Sequence, residues 1–128
     1  MTPLELLLIV KISVTLITVA MPFLLLPANR IEQIAGFGAA EPLLYRLYGV
    51  AILALLVGYF GGLQSALGGE LPQGVLRMGF VSNAGAALLL LRARPAAWKW
   101  PAIAFFAAIS AGLALAMTNP SWALQPLG

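Results

Sequence analysis

Side chains that could carry out catalysis are scarce in this chain. Its 128 residues include no Cys, no His and no Asp, and its acids are Glu5, Glu32, Glu41 and Glu70. Without Cys or His the chain cannot form a disulfide, a Cys/His zinc site or a histidine-ligated haem. Carboxylate pairs and Ser-His-Asp triads also lack their components. The composition therefore argues against most hydrolytic and cofactor chemistry.

A different set of polar side chains stands inside long apolar stretches, and it is the candidate ligand-binding set: Lys11, Tyr59, Arg77, Asn83 and Ser110. Lys and Arg donate hydrogen bonds and accept none. If these side chains face inward together, they form a cationic cavity suited to an anionic or carbonyl-bearing amphiphile, such as a lipid headgroup or a quinone. In the alternative interpretation the two cations extend separately to headgroups or pair with nearby glutamates.

The elements that must position these residues are membrane helices. The chain is 62% hydrophobic and 9% charged, and a membrane helix needs roughly 20 largely apolar residues. Four windows fulfil this requirement, at about residues 4–26, 43–63, 74–91 and 98–117. Because the connections are short, sequential helices pack antiparallel. The sequence predicts an all-α membrane protein with one domain, residues 1–128, built as an antiparallel bundle of four transmembrane helices.

Basic residues concentrate at one face of this predicted bundle. Five of the seven lie near the first and third connections: Arg30, Arg46, Arg92, Arg94 and Lys99. The positive-inside rule then predicts that these connections are cytoplasmic and that both chain ends are periplasmic, in a bacterial inner membrane. The net charge of +3 favours contact with anionic lipid headgroups rather than with nucleic acid.

Three residues at the cytoplasmic helix ends are predicted headgroup anchors. Arg46 lies one turn into the second window and is long enough to extend back to the interface. Trp98 and Trp100 open the fourth window, where amphipathic rings prefer the headgroup level. The connection over residues 28–41 has two open interpretations, a short amphipathic helix on the membrane surface or a turn-rich loop.

Small residues at four-residue spacing predict where helices approach closely. The second window carries Ala54, Gly58 and Gly62, and the fourth carries Ala108 and Gly112. Such faces are used either between neighbouring helices of one chain or as the seam of a dimer. The predicted partners are accordingly membrane lipids together with a second copy of the chain or other membrane subunits.

Residues 44–50, followed by Leu55, Gly58 and Tyr59, resemble the second helix of small DoxX-like four-helix membrane proteins. Arg46, Gly49 and Gly58 carry the resemblance. It implies a bacterial inner-membrane protein, and some members of that family are associated with quinone-linked redox modules. It implies no catalytic residue.

Two function classes remain. The first is a non-enzymatic accessory subunit or lipid- or quinone-binding module of a larger membrane assembly, with a bound lipid or quinone as the only expected cofactor and no metal. The second is a homodimeric transporter or channel for a small solute or anion. Small multidrug transporters have a similar length and span number, but they use an embedded Glu, whereas Lys11 of the opposite charge stands here. An enzyme ranks last, because the mid-span hydroxyl groups have no base beside them.

Overall fold

Proline and glycine residues divide the chain into helices close to the predicted boundaries. A computed structural model describes residues 1–36 and 41–127. Over these residues it has no strand and six helices: α1 (Pro3–Leu25), α2 (Ala28–Ala35), α3 (Pro42–Leu67), α4 (Gln73–Leu91), α5 (Lys99–Thr118) and α6 (Pro120–Ala123). Four of these, α1, α3, α4 and α5, are long and apolar enough to cross a membrane. The predicted four-helix, all-α fold is confirmed, and the chain is an integral membrane protein.

Helix α1 begins with a capping box and contains one wide turn. The Thr2 hydroxyl accepts the Glu5 N–H at 3.2 Å, and the Glu5 carboxylate accepts the Thr2 N–H at 2.9 Å. Residues Leu16–Ala20 form a π-helical turn. In an α-helix the ring of a proline clashes with the carbonyl four residues earlier, and the extra residue of a π turn relieves that crowding. The helix therefore continues past Pro22.

Helix α3 extends from its predicted end, Leu63, to Leu67. Neither glycine near that predicted end terminates the helix, and Gly62 serves packing, because a Cβ on it would lie 2.8 Å from the Val75 Cγ1 atom of α4. The helix ends instead before Gly69, whose φ of 81° is a left-handed conformation that glycine adopts readily. Gly62 thus marks the crossing of α3 and α4.

The spans form two antiparallel pairs, α1 with α3 and α4 with α5, and smaller contacts of α3 with α4 and of α1 with α5 join the pairs. The pairs meet near the end of the bundle that holds the chain termini. There a Cβ on Gly112 would lie 3.0 Å from Leu7, and the Leu127 N–H donates to the Met1 carbonyl at 2.7 Å. Both chain ends therefore lie at the same end of the bundle.

The predicted small-residue contacts divide into two groups. Gly58, Gly62 and Gly112 face neighbouring helices, with Met78, Val75 and Leu7 respectively as the nearest side chains. Ala54 and Ala108 are exposed on the surface of the single chain. The glycines are therefore used within the chain, and the two alanines take no part in its close helix contacts.

The sequence predicts that Arg46 is a lipid-facing anchor, but the structure gives it a protein partner. Its guanidinium donates to the Phe23 carbonyl at 2.8 Å. That carbonyl lies in the last turn of α1, and Pro27, four residues later, has no N–H to offer it. Arg46 therefore satisfies a helix-end acceptor and ties α3 to α1.

The tryptophans at the same end differ in their surroundings. The Trp98 indole N–H donates to the Ala35 carbonyl at 3.0 Å, which links the α4–α5 connection to α2. Trp100 is 64% exposed, as a headgroup-level ring would be. Of these two tryptophans, only Trp100 is mainly exposed.

Residues 28–41 contain a helix, so the structure supports the first of the two interpretations of this segment. In α2, Ile31 is buried whereas Ile34 is 65% exposed. The helix ends at Gly36, in a left-handed conformation with φ 71°. Residues 37–40 of the segment lie outside the described residues.

Candidate functional site

An internal cavity of about 60 Å³ lies between the four spans. Each of the helices α1, α3, α4 and α5 contributes to its wall. Its polar lining comes from Lys11, Thr15, Tyr48, Tyr59 and Ser82, and apolar side chains including Phe106 complete it. Polar groups in an otherwise apolar bundle core are the usual mark of a binding site in a membrane protein.

Lys11 is the most unusual residue of the cavity. It is only 5% exposed, and among residues 1–36 and 41–127 its ammonium has no hydrogen-bond acceptor and no carboxylate partner. It lies instead among aromatic rings, 4.9 Å from the ring centre of Phe106, 5.5 Å from that of Phe105 and 5.8 Å from that of Tyr59. These distances are within the range of cation–π attraction.

The aromatic rings account for how the chain tolerates this charge. A lysine at the centre of a membrane helix costs about 2.5–3.5 kcal/mol on insertion scales. A cation–π contact contributes about 0.5–1 kcal/mol at exposed sites and about 2 kcal/mol when desolvated. Three rings around the Lys11 ammonium therefore offset most of the cost without a counter-ion. The N–H groups of the ammonium remain available to a hydrogen-bond acceptor in the cavity.

Thr15 stands one helical turn after Lys11 on the same face of α1. It is 5% exposed, and its hydroxyl has no hydrogen-bond partner in the described part of the chain. Threonines in helices usually donate back to the preceding turn, as Thr18 does to the Val14 carbonyl at 2.7 Å and Thr118 does to the Ala114 carbonyl at 3.0 Å. The Thr15 hydroxyl is therefore an unused polar group beside Lys11.

Tyr59 of α3 is joined to Asn83 of α4. The Asn83 Nδ2 atom lies 2.7 Å from the Gly79 carbonyl oxygen and 2.9 Å from the Tyr59 hydroxyl. Because a carbonyl can only accept, the first contact fixes which end of the amide is the NH₂ group. The second N–H then donates to the Tyr59 oxygen, which leaves the Tyr59 proton free to be donated elsewhere. Asn83 Oδ1 is buried and unpaired among the residues described.

Gly79 makes this arrangement possible. A Cβ at this position would lie 2.7 Å from the Tyr59 hydroxyl and 2.7 Å from the Leu113 Cδ1 atom. Real Cβ atoms do not approach other atoms so closely, so a larger residue would displace Tyr59 or Leu113. The glycine therefore allows α3 and α5 to pack against α4 at the level of Asn83.

The structure separates the two cations that the sequence places at a similar depth. Arg77 is exposed and does not line the cavity. The reason is its helical position: the preceding residue, Leu76, is fully buried, and one residue is a rotation of about 100° around an α-helix. Lys11 and Arg77 therefore do not share a cavity. Of these two cations, only Lys11 lines the cavity described above.

Ser110 and Glu5 are not part of the cavity lining either. Ser110 is buried, but its hydroxyl donates to the Ala107 carbonyl at 2.9 Å and it does not line the cavity. Glu5 is engaged in the capping box of α1. Of the five predicted ligand-binding residues, the structure brings Lys11 and Tyr59 to the cavity, with Asn83 hydrogen-bonded behind Tyr59.

The prediction of the site missed the polar lining residues Thr15, Tyr48 and Ser82. It also missed Phe105 and Phe106, whose rings lie over Lys11, and of these two Phe106 lines the cavity wall. The spacing of Thr15 four residues after Lys11 could have identified it, because such residues share a helix face. The paired phenylalanines gave no comparable signal in a span that is apolar throughout.

The Lys11 ammonium of the cavity can only donate hydrogen bonds, whereas the hydroxyl groups of Thr15, Tyr48, Tyr59 and Ser82 can donate or accept them. Within the described residues no cluster of three His, Cys, Asp or Glu side chains could hold a metal ion. The arrangement is therefore suited to holding an oxygen acceptor in an apolar environment.

No protein-family model, curated protein or solved structure matches the chain. Two of the residues on which the DoxX-like resemblance rests have a packing role here. Arg46 binds the Phe23 carbonyl, and a Cβ on Gly49 would lie 2.8 Å from the Leu24 Cγ atom. Close packing of α3 on α1 accounts for both residues.

Proposed function

We propose that this protein is a non-enzymatic membrane component that binds the carbonyl-bearing head of a lipid-soluble molecule of the quinone type at Lys11. One observation carries the proposal: Lys11 is buried and lines a cavity, and its ammonium donates a hydrogen bond to no group of the described residues. Intramembrane cations are costly and are usually retained for a function. The adjacent unpaired Thr15 hydroxyl supports a ligand at the same place.

The size of the cavity limits what enters it. Its volume is about 60 Å³, whereas pockets that enclose a whole drug-sized ligand have about 300–1,000 Å³. A cavity below that range admits a small polar group but not a whole ligand. The ligand would therefore insert its oxygen-bearing head and leave its apolar part among the helices or in the bilayer.

The polarity of the site favours a neutral carbonyl over a full anion. Lys11 can only donate, so a ligand group bound to it must be an acceptor. Three aromatic rings already stabilise the Lys11 ammonium, so a full negative charge is not required to balance it. A quinone carbonyl, which is lipid-soluble and accepts hydrogen bonds without charge, meets both conditions.

The role proposed for the chain is that of a subunit of a larger membrane assembly. It has no Cys or His to hold a metal or haem redox centre. A quinone bound at Lys11 would then exchange electrons with a partner, and this chain would position the quinone.

The anion-transporter alternative receives less support from the geometry. It requires Lys11, Arg77 and Asn83 along one path. Arg77 faces outward from α4 and does not line the cavity, so in one chain the described residues offer an anion a single cation.

The experiment that tests the proposal compares quinone binding by Lys11→Met, Thr15→Val and Arg77→Met variants in phosphatidylcholine nanodiscs, with decylubiquinone as the probe. A charge-assisted hydrogen bond contributes about 1.5–3 kcal/mol, so we expect Lys11→Met to weaken binding about tenfold or more. Thr15→Val should weaken it several-fold. Arg77→Met, which removes an exposed cation of another span, is the matched control and should bind as the parent does.

Three outcomes would contradict the proposal. Equal binding by the parent and by Lys11→Met would remove Lys11 from the site. A similar loss in Arg77→Met would indicate a general effect of positive charge. Oleate, tested in parallel, separates the two acceptor classes: oleate binding that depends on Lys11, without decylubiquinone binding, would overturn the assignment to a neutral carbonyl.

A further inference from the structure

A second and larger cavity lies at the opposite end of the bundle from the chain termini. Its volume is about 370 Å³, and it is lined by Ala35 and Gly36 at the end of α2 and by residues 92–96 and Trp98 of the α4–α5 connection. This volume falls within the range of about 300–1,000 Å³ typical of ligand pockets. The cavity is therefore large enough for a complete polar headgroup.

The walls of this cavity are held by specific contacts. The Trp98 indole donates to the Ala35 carbonyl at 3.0 Å, which fixes the end of α2 against the connection. Gly36 adopts the left-handed conformation, with φ 71°, that ends α2 there. The pocket is thus formed between two elements joined by a hydrogen bond.

The end of helix α4 is stabilised by Lys99 and not by the two arginines of the pocket. Helix α4 ends at Leu91, and its last carbonyls need donors. The buried Lys99 ammonium donates to the last of them, the Leu91 oxygen, at 3.2 Å, and to the Ala93 oxygen of the connection at 2.7 Å. Arg92 and Arg94 are exposed, and within residues 1–36 and 41–127 their guanidinium groups have no hydrogen-bond or carboxylate partner. Two unpaired guanidinium groups therefore line one pocket.

We propose that this pocket binds the phosphate group of an anionic phospholipid. A guanidinium matches two phosphate oxygens with a pair of parallel N–H donors. Two such groups around one pocket favour a headgroup with net negative charge over a zwitterionic one, because a choline or ethanolamine would bring a cation against the arginines. Basic pockets at helix ends are a known means of holding such headgroups.

The surroundings indicate a lipid rather than a soluble phosphate. The pocket lies where α4 ends and α5 begins, which is the depth of the headgroups for membrane-spanning helices. Large apolar side chains nearby are exposed: Ile34 by 65%, Leu91 by 51% and Trp100 by 64%. These side chains offer a surface for acyl chains, whereas a free phosphate ion would gain nothing from them.

The test measures retained lipid by native mass spectrometry of the full chain after purification in mild detergent and addition of phosphatidylglycerol or phosphatidylcholine. We expect the parent to retain one phosphatidylglycerol and to bind phosphatidylcholine at least tenfold more weakly. The double variant Arg92→Gln/Arg94→Gln should lose that preference. Arg77→Gln, which removes an exposed arginine at the other end of α4, should keep it.

Three results would overturn the proposal. The double variant could retain phosphatidylglycerol as the parent does, with an unchanged thermal unfolding midpoint showing that it is folded. Arg77→Gln could lose the lipid equally, which would indicate attraction by overall charge. Inorganic phosphate at millimolar concentration could displace the lipid completely, which would assign the pocket to a soluble phosphate. Because Lys11 takes no part, Lys11→Met should leave this binding unchanged whatever its effect on quinone.

Discussion

Asn83 donates a hydrogen bond to Tyr59 across the interface of α4 and α3, at 2.9 Å. Asn83 is 1% exposed and Tyr59 is 1% exposed, so neither group has water as an alternative partner. The same Asn83 amide donates to the Gly79 carbonyl within its own helix. The contact therefore joins the two helical pairs of the bundle beside the cavity, and it leaves the Tyr59 proton free to be donated to another acceptor.

The first prediction concerns the energy of this contact. Interhelical hydrogen bonds in membrane proteins contribute about 0.6 kcal/mol on average and up to about 1.7 kcal/mol. We expect a double-mutant cycle of Tyr59→Phe and Asn83→Leu, measured by unfolding in mixed micelles, to give a coupling energy in that range. Additive effects of the two substitutions would contradict the contact. Tyr59→Phe should also weaken quinone binding, because it removes a donor from the cavity.

The second prediction uses two glycines of the same helix. Gly79→Ala places a Cβ 2.7 Å from the Tyr59 hydroxyl, whereas nothing lies within 4 Å of a Cβ on Gly85. Overpacking costs about 1–3 kcal/mol, so Gly79→Ala should lower the unfolding free energy by that amount. Gly85→Ala is the control and should be neutral or stabilising by up to about 1 kcal/mol, because alanine is the better helix former. Equal effects at the two positions would show that packing at Gly79 is not special.

The helices could be predicted from the sequence because the length of an apolar stretch and the Pro and Gly residues at its ends are properties of neighbouring residues in the chain. The one large difference in boundaries is the end of α3, which passes Gly61 and Gly62 to Leu67. A glycine inside a span is ambiguous in a sequence, since it serves helix ends and close contacts equally. Only the position of Val75 on α4 shows that Gly62 is a contact.

The site could be predicted only in part, because depth in the membrane follows from the sequence and direction around the helix does not. Lys11 and Arg77 have a similar predicted depth, yet Lys11 is 5% exposed and Arg77 faces outward. All four spans are apolar on every side, so no polar face indicates which residues point inward. The rings of Phe105 and Phe106 over Lys11 likewise depend on how α5 packs against α1.

The third prediction concerns Arg46, whose guanidinium satisfies the Phe23 carbonyl at 2.8 Å. Arg46→Met would leave a helix-end carbonyl without a donor, which costs about 1–3 kcal/mol when the group is buried. We expect a loss near the lower end of that range, because the contact is only partly buried. Arg46→Lys should recover part of the loss. An unchanged unfolding free energy for Arg46→Met would instead favour the lipid-anchor interpretation of this residue.

The fourth prediction contrasts the two buried lysines. The Lys99 ammonium donates to the carbonyls of Leu91 and Ala93, whereas the Lys11 ammonium lies over aromatic rings and donates to no carbonyl of the described residues. Lys99→Met should lower the unfolding free energy by about 1 kcal/mol, near the lower end of the cost of an unsatisfied buried group, because it leaves two partly buried carbonyls without their donor. Lys11→Met should leave it unchanged or raise it, because methionine fills the same space, contacts aromatic rings favourably and removes a desolvated charge.

Urea or sodium dodecyl sulfate titrations of the two variants in the same micelles would measure this contrast. A residue whose replacement stabilises the fold while abolishing ligand binding is kept for function rather than for stability. Destabilisation by Lys11→Met as large as that by Lys99→Met would assign Lys11 a structural role, because its contacts with the three rings would then be the reason for its presence. Tyr59, Phe105 and Phe106 would in that case be the partners that the fold requires.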